Sequence, residues 1–202
     1  MTGRIAIIVE GATEKAFKHC LEEFLARHLA ATQRPTLKFV AKDGRVPKGD
    51  LLKRDVERLL EEYDDVIALT DVYTGSDPRD FDNAMDAKAK MRQWVGHSPH
   101  FHPHAAQYEF EAWLLPFWPQ VRKLSGTSRQ TPSPSPETVN HNKPPSRFLD
   151  EAYRTGRKRA YRKTQDGVAI LRNQDLAVSA AACPELKAFL NTIFTLSGGP
   201  PL

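Results

Sequence analysis

A short apolar segment near the start of the chain, Ile5-Ala6-Ile7-Ile8-Val9, limits the folds that this sequence can adopt. An unbroken run of mostly β-branched residues is typical of a strand buried on both faces, and such strands occur in parallel sheets covered by helices. The run ends in a carboxylate, Glu10, and Gly11 then permits a tight turn. Apolar residues at helical spacing follow directly, at Phe17, Leu21, Phe24, Leu25 and Leu29. The sequence therefore predicts a strand, a turn and a helix, with Glu10 at the carboxyl end of the strand.

Three further strand candidates alternate with helix-like patterns. They lie at 37–40, at 66–71 and around 101–108. Residues 109–118 are largely apolar and predict a helix that Pro116 and Pro119 should end. This alternation predicts an α/β fold, with a mostly parallel central sheet of about four strands flanked by helices.

The C-terminal third shows no further strand pattern. Residues 127–142 are rich in Ser, Thr and Pro, which predicts an extended or mobile loop. Helical patterns follow, with Ser146 as the expected cap of the first helix and Pro184 before the last. The predicted segments are an α/β domain at 1–125, a Pro/Ser-rich loop at 126–145, and a small basic helical annex at 146–202 that packs on the same domain.

Composition excludes several classes of protein. No stretch approaches the roughly 18 to 20 apolar residues of a transmembrane helix, and the N-terminus lacks the layout of a signal peptide. The two cysteines, Cys20 and Cys183, have the spacing of neither a disulfide framework nor a thiolate zinc site. We therefore expect a cytoplasmic protein that does not bind membranes.

Positive charge is concentrated late in the chain. Residues 141–172 contain nine Lys or Arg and three acids, a net charge of +6, whereas the whole chain carries +4. Such a block is typical of proteins that bind a polyanion, although a solvated helix face has the same pattern. The candidate contacts to a nucleic-acid backbone are Arg147, Arg157, Lys158, Arg159 and Arg162.

Carboxylates follow the predicted strands. Asp71 ends one buried strand as Glu10 ends another, and the tips of neighbouring strands lie roughly 5 to 10 Å apart. Asp77, Glu109 and Glu111 come soon after strand ends. Such acids would repel one another unless bases or a cation compensated them, and oxygen ligands suit Mg²⁺ or Mn²⁺. Asp77 and one of the two glutamates could instead cap helices.

A histidine tract, His97, His100, His102 and His104, has two interpretations. In an extended segment the last three would share one face, as three zinc ligands might be arranged. Pro99 and Pro103 interrupt the tract, which favours polar residues of an edge strand or loop.

Three motifs together resemble an uncharacterised bacterial family with a Toprim-like domain, often encoded beside an ABC-type or AAA-type ATPase. They are Val9-Glu10-Gly11-Ala12-Thr13-Glu14 with Phe17, Asp71-Val72-Tyr73 with Gly75, and Gln107-Tyr108-Glu109-Phe110-Glu111-Ala112. Later matches are Pro145-Ser146-Arg147, Tyr161-Arg162-Lys163 and Cys183-Pro184. The related characterised proteins are nucleases of the overcoming-lysogenization-defect class, in which an ATPase is joined to or paired with a Toprim nuclease.

The resemblance implies a Toprim fold and a Mg²⁺ site. Carried over, Glu10 and Glu14 are metal ligands, and Asp71 is the first acid of the Toprim Asp-x-Asp motif. Lys163 is the lysine that stabilises charge on the transferring phosphate, so Glu10 and Lys163 are the catalytic candidates. Tyr73 takes the place of the second acid, and Glu109 or Glu111 must then supply the missing carboxylate.

These observations predict a metal-dependent nuclease that serves as the effector of an ATPase-coupled anti-phage defence system. The alternative is a non-catalytic regulatory or adaptor subunit that binds the ATPase and keeps a degenerate metal site, which Tyr73 favours. The expected partners are nucleic acid and the ATPase. The sequence leaves open whether DNA or RNA is cut and whether the chain forms a homodimer.

Overall fold

The computed structural model of the protein describes residues 3–42, 44–138 and 143–202, without the side chains of Ala12, Thr13, Lys15 and Ala16. The described strands form a parallel sheet and are β1 (Arg4–Val9), β2 (Thr36–Ala41), β3 (Asp65–Asp71) and β4 (Phe101–Ala106). Their order in the sheet is β2-β1-β3-β4. The prediction of an α/β fold with a parallel central sheet of about four strands is confirmed.

Helices connect the strands and continue after the last one. They are α1 (Ala12–His28), α2 (Asp50–Leu60), α3 (Ala84–Val95), α4 (Trp118–Ser125), α5 (Pro145–Arg157), α6 (Lys163–Leu171), α7 (Leu176–Ala182) and α8 (Pro184–Leu196). Short 3₁₀ helices cover Ala31–Gln33, Phe110–Phe117 and Pro136–Thr138. The described part of the chain includes no helix with the length and apolar character needed to cross a lipid bilayer.

Both faces of the sheet are covered by apolar packing, as the unbroken apolar run of β1 predicts. Ile5, Ile7 and Val9 face one layer, which contains α1 and the helices α6, α7 and α8. Ala6 and Ile8 face the other layer, which contains α2 and α3. The helix after β1 and the helix after β3 therefore lie on opposite faces. After these two neighbouring strands, the chain therefore turns towards opposite faces of the sheet. Open α/β sheets bind their ligands between the carboxyl ends of two such strands.

The apolar segment after β4 differs from its prediction. A 3₁₀ helix ends at Phe117, and α4 then starts with Pro119 in its first turn. The expectation that Pro119 ends a helix is wrong, because a proline in the first turn lacks only an N–H that would have no helical partner. Proline thus marks the start of α4.

The first helix of the C-terminal third begins two residues earlier than predicted. Pro144 is the N-cap of α5 and Pro145 its first residue, so Ser146 does not cap this helix. Within the predicted Pro/Ser-rich loop the structure describes the short helix Pro136–Thr138, while residues 139–142 lie outside the described residues. Glu137 of that helix accepts hydrogen bonds from Trp113 Nε1 at 3.1 Å and from the N–H of Glu185 at 3.0 Å. These bonds tie the loop to the helical layer.

The histidines in and just before β4 divide between two environments. His100 Nδ1 and His102 Nε2 lie 3.3 and 3.0 Å from Oδ1 of Asp65. His104 is buried, with its ring edge-on to Phe189 of α8. β4 is an edge strand, as expected for this tract, but α8 covers it at His104 and buries that side chain. The three imidazoles do not meet at one point as the zinc alternative requires.

Candidate functional site

The carboxyl ends of β1 and β3 bring Glu10 and Asp71 into contact. In the register of the sheet Val9 pairs with Leu69, so Glu10 and Thr70 follow side by side. Oε1 of Glu10 accepts hydrogen bonds from Thr70 Oγ1 at 2.6 Å and from the N–H of Asp71 at 2.8 Å. A hydrogen bond thus joins the two acids at the point where the chain leaves β1 and β3 towards opposite faces of the sheet.

Asp71 is held from its other side by the segment that follows β4. The N–H of Phe110 donates to Oδ1 of Asp71 at 2.8 Å. The carbonyl of Tyr108, a residue with a φ of 69°, accepts a hydrogen bond from the N–H of Tyr73 at 2.7 Å. These bonds join the loop after β3 to the loop after β4. The Glu-Phe-Glu motif is thereby placed beside the ends of β1 and β3.

Glu14 belongs to the same cluster. It lies in the first turn of α1, and its Oε2 accepts a hydrogen bond from the N–H of Gly11 at 3.1 Å. The residue is buried, and its negative charge acts on both Glu10 and Asp71. Because only Glu10 and Gly11 separate β1 from α1, the carboxylate of Glu14 lies beside the end of the strand.

Glu109 and Glu111 turn inward around Phe110, and both are buried. Oε2 of Glu109 accepts a hydrogen bond from the N–H of Ser146 at 2.9 Å, in the first turn of α5. Glu111 is only 1% exposed and faces Lys163. The acids after β4 thus connect the sheet to the basic helices.

Lys163, the first residue of α6, is the cation that faces these acids. Its Nζ lies 3.2 Å from Oε1 and 3.3 Å from Oε2 of Glu111. Burial acts to lower the pKa of Lys163, but the charges of Glu111, Glu109 and Asp71 outweigh it and raise that pKa. The structure therefore brings together Glu10, Glu14, Asp71, Glu109, Glu111 and Lys163, which we call the acidic cluster.

One lysine does not compensate so many carboxylates. Burial raises the pKa of Glu10 to about 7, and it raises the pKa of Glu111 to about 7 although Lys163 opposes the shift. The pKa of Asp71 is raised well above its ordinary value by burial, and then by the charges of Glu10, Glu14 and Glu111. Further positive charge would therefore stabilise the ionised carboxylates of the acidic cluster.

The donor atoms of the acidic cluster fit a hard divalent cation, because all are carboxylate oxygens. The hydrogen bonds described for Glu10, Glu14 and Asp71 each use one oxygen of the carboxylate. Over residues 3–42, 44–138 and 143–202, no three His, Cys, Asp or Glu side chains are already arranged to hold a metal ion. Ion binding would therefore require the carboxylates to rotate towards a common point.

The loop after β3 does not add an acid to the cluster. Tyr73 follows Asp71 at the position where a second acid is expected, and 36% of it is exposed. Asp77 is exposed in the same loop. Of the predicted acidic constellation, Asp77 is thus the member that the described contacts leave outside.

Asp80 organises this loop instead. Its Oδ2 accepts hydrogen bonds from Thr74 Oγ1 at 2.6 Å and from Ser76 Oγ at 2.8 Å, and its other oxygen pairs with Lys48. Burial acts to raise the pKa of Asp80, but these hydrogen bonds and the charge of Lys48 lower it to about 2. Asp80 and its donors form a second carboxylate site, which we call the Asp80 hub.

Two of the predicted nucleic-acid contacts are used inside the protein. Arg159 donates two hydrogen bonds to the carboxylate of Asp166, at 2.7 and 2.8 Å. Arg157 donates through Nε to the carbonyl of Leu124 at 2.7 Å. These arginines hold the connection between α5 and α6 and its packing on α4.

The other three predicted contacts are exposed, as is Arg157. Arg147 lies in the first turn of α5, Lys158 ends that helix, and Arg162 precedes α6. Arg162 Nε lies 4.0 Å from Asp166, at the limit of an ion pair. Hydrogen bonds within the protein therefore distinguish Arg157 and Arg159 from the other three, a division that the charge pattern does not reveal.

Arg147 lines a cleft that sequence reasoning did not identify. The cleft has a volume of about 580 Å³ and is lined by Pro144, Ser146, Arg147, Asp150, Arg154, Tyr161 and Lys163. The available signals were the four-residue spacing of Asp150 and Arg154 and the proximity of Tyr161 to Lys163. Because Lys163 also contacts Glu111, this basic cleft is continuous with the acidic cluster.

The chain can be compared with known proteins by sequence and by fold. No curated protein sequence gives a significant match. Among solved structures, the C-terminal region of the Burkholderia pseudomallei OLD protein is similar in fold, with a TM-score of 0.52 and 15% identity, over 98% of this chain and 100% of that one. A family model described as "Domain of unknown function (DUF4276)" matches residues 9–193. The chain therefore belongs to the DUF4276 family.

Proposed function

We propose that this chain is a Toprim-like nuclease that hydrolyses phosphodiesters with Mg²⁺ or Mn²⁺ held by carboxylates. The observation that carries the proposal is the acidic cluster. It brings buried acids and one lysine together at the carboxyl ends of β1 and β3. The pKa values of Glu10, Asp71 and Glu111 are all raised, chiefly by burial, as is typical of functional sites. The similarity in fold to the OLD protein region supports the same reading.

In this proposal Glu10, Glu14 and Asp71 hold the ion, and Glu109 or Glu111 replaces the acid that Tyr73 displaces. A bound divalent cation supplies positive charge to the transferring phosphate and lowers the pKa of an attacking water. The hydrogen bonds from Thr70 and from the N–H of Asp71 keep Glu10 in place during the reaction. Glu10 is thus a fixed ligand.

Lys163 has a separate role in the proposal. Its charge is firmly retained because Glu111, Glu109 and Asp71 raise its pKa. When a phosphate enters, the ammonium group would turn from Glu111 towards a phosphate oxygen and stabilise the charge that develops there. Half of the Lys163 side chain is exposed, so this movement needs no rearrangement of the core.

We further propose that the nuclease is the effector of an ATPase-coupled anti-phage system in the cytoplasm, where it cuts DNA or RNA. The motif resemblance supports the ATPase partner, and the exposed cations of α5 and α6 support a nucleic-acid substrate. A homodimer is compatible with both. Mixing the protein with the neighbouring ATPase, followed by size-exclusion chromatography, tests that partnership directly.

A regulatory or adaptor subunit with a degenerate metal site is the second candidate. Two observations favour it. Tyr73 occupies the position of an acid, and both replacement acids are already engaged, Glu111 by Lys163 and Glu109 by the N–H of Ser146. In that case the carboxylates serve the structure and the partner surface rather than catalysis.

Metal binding and cleavage separate the two candidates. We would titrate Mn²⁺ into the protein by calorimetry, and assay cleavage of plasmid DNA and total tRNA with and without the ATPase. The nuclease proposal expects both signals in the wild type, their loss in Glu10→Gln, and their retention in Glu62→Gln. Glu62 is a matched control because it is exposed and lies just after α2, on the approach to the amino end of β3. Cleavage that survives Glu10→Gln, or a wild type silent in both assays, would overturn the proposal.

A further inference from the structure

We infer that the basic cleft lined by Arg147, Arg154 and Tyr161 binds the backbone phosphate next to the one being cleaved, on the same strand. The position of the cleaved phosphate rests on the proposed function. Binding of the strand itself requires only the charges and shape of the cleft. The substrate class is therefore a single strand of nucleic acid, or one strand of a locally opened duplex.

The charge of the cleft favours a phosphate. Arg147, Arg154 and Lys163 line it, against Asp150 as the acid among its lining residues. Arg147 is exposed, and 63% of the Arg154 side chain is exposed. The cleft therefore presents a local excess of positive charge to solvent, and each cation that neutralises a phosphate releases counterions from the nucleic acid.

Asp150 gives the cleft a fixed shape. Its Oδ2 accepts a hydrogen bond from Arg154 Nε at 2.6 Å, and its Oδ1 accepts one from the N–H of Tyr161 at 3.0 Å. The Arg154 bond uses Nε, so the terminal nitrogens of the guanidinium remain available for a phosphate oxygen. One acid thus orients an arginine and the backbone of the opposite wall.

The position of the cleft sets the path of the strand. Lys163 lines the cleft and also contacts Glu111 of the acidic cluster. A strand with one phosphate at Lys163 and the cluster would therefore place a neighbouring phosphate between Arg147 and Arg154. The cleft, with a volume of about 580 Å³, is the part of this path that a single strand would occupy.

The rest of the basic block does not offer an equivalent site. Arg159 is paired with Asp166, and Arg157, although exposed, donates to the Leu124 carbonyl of α4 and is not among the residues that line the cleft. Arg172 is exposed but lines a separate groove with His19 and Cys20 between α1 and α6. It carries the same charge in the same block without reaching the cleft, and it therefore provides a matched control.

Binding in the absence of metal tests the inference. We would measure fluorescence anisotropy of a labelled single-stranded 20-mer, and of the matching duplex, in EDTA over a range of salt concentrations. For Arg147→Ala and for Arg154→Ala we expect affinity for the single strand to fall about 10-fold, and the salt slope to shrink by about 0.7. Arg172→Ala should bind as the wild type does, and Arg147→Lys should retain most of the affinity.

The outcomes divide clearly. Equal losses in Arg172→Ala and in the cleft variants would show diffuse attraction and overturn the inference. A wild type that does not bind the 20-mer in EDTA would overturn it too. So would a wild type that binds the duplex more tightly than the single strand, with a duplex affinity that Arg147→Ala and Arg154→Ala do not change. Because no metal is present, a loss confined to the cleft variants would stand even if Glu10→Gln left cleavage unchanged. Circular dichroism of each variant confirms that these exposed substitutions leave the fold intact.

Discussion

The acidic cluster and the Asp80 hub are two carboxylate sites near the carboxyl end of the same strand, β3, with opposite electrostatics. Asp71 ends β3 and Asp80 lies in the loop that follows. Hydrogen bonds from Thr74, Ser76 and Lys48 lower the pKa of Asp80 to about 2. Burial and neighbouring acids raise the pKa of Asp71 well above its ordinary value.

The difference is one of available donors and charges. Asp80 meets two hydroxyl groups and a lysine, so its negative charge is fully supported within the protein. Asp71 accepts a hydrogen bond from the N–H of Phe110 and is opposed by the charge of Lys163, but Glu10, Glu14 and Glu111 add like charge around it. A carboxylate that serves structure is compensated locally, whereas an under-compensated group of buried acids is typical of a site that awaits a cation.

The strongest way to break this comparison is to neutralise one acid in each site. Asp71→Asn should weaken Mn²⁺ binding about 100-fold or more, because it removes a ligand charge from the cluster. Asp80→Asn should leave Mn²⁺ affinity unchanged within twofold. Isothermal titration calorimetry at pH 7.5 measures both, and equal effects of the two substitutions would remove the distinction between the sites.

Replacing the lysine sharpens the comparison from the other side. Lys163→Met should lower the rate of phosphodiester cleavage about 100-fold, because a fixed cation near a developing oxyanion is lost. Mn²⁺ affinity should stay the same or rise, since Lys163 competes for Glu111. Cleavage kinetics and calorimetry on one preparation give both numbers. A fall in Mn²⁺ affinity would mean that Lys163 organises the ligands.

His104 tests whether burial alone can govern the charge of a group in this fold. Burial lowers its pKa to about 3, and the charges of Lys88, His102 and Arg92 add to this effect. The folded pKa lies below the ordinary value of 6.5, so stability is present above pH 6.5 and is lost as the pH falls towards 3. We expect about 2 kcal/mol less stability at pH 5 than at pH 7 from this group.

Urea unfolding at several pH values measures that slope. His104→Leu should remove its part of the slope between pH 7 and pH 5. His97→Gln changes an exposed histidine and should keep the wild-type slope. A slope that persists in His104→Leu would assign the acid sensitivity to other groups.

The smallest expected effect concerns stability without metal. In EDTA at pH 8, Asp71→Asn should raise the free energy of unfolding. Burial and the neighbouring acids raise the folded pKa of Asp71, so its ionised form opposes folding. Asp80→Asn should lower it by about 1 kcal/mol after solvent screening, because its folded pKa is lowered. Chemical denaturation measures both, and changes of the same sign would contradict the comparison.

The sequence predicted the sheet because an unbroken, mostly β-branched apolar run is typical of a strand that is buried on both faces. It also predicted that Glu10 and Asp71 meet, since neighbouring parallel strands end at the same edge. Pro119 was misread because proline both ends and begins helices, and only the tertiary structure decides which. The burial of His104 was not predicted, because the helix that covers it makes contact through Thr192, 88 residues further along the chain.

The basic block shows where local reasoning stops. Its net charge is visible in the sequence, but the internal use of Arg157 depends on the Leu124 carbonyl, 33 residues away. Arg154 carries the same charge as its neighbours, and only the fold places it beside Tyr161 and Lys163. Which cations are accessible is therefore a property of tertiary contacts, whereas how many there are is a property of composition.

The hydrogen bond from the N–H of Ser146 to Glu109 joins two sites that would otherwise be independent. If Glu109 turns towards a cation, that N–H at the start of α5 loses its acceptor, beside the arginines of the basic cleft. A phosphate oxygen in the cleft is the natural replacement, since helix N-termini attract anions. Cation and strand would then help each other to bind, and linkage requires that each raise the affinity of the other by the same factor.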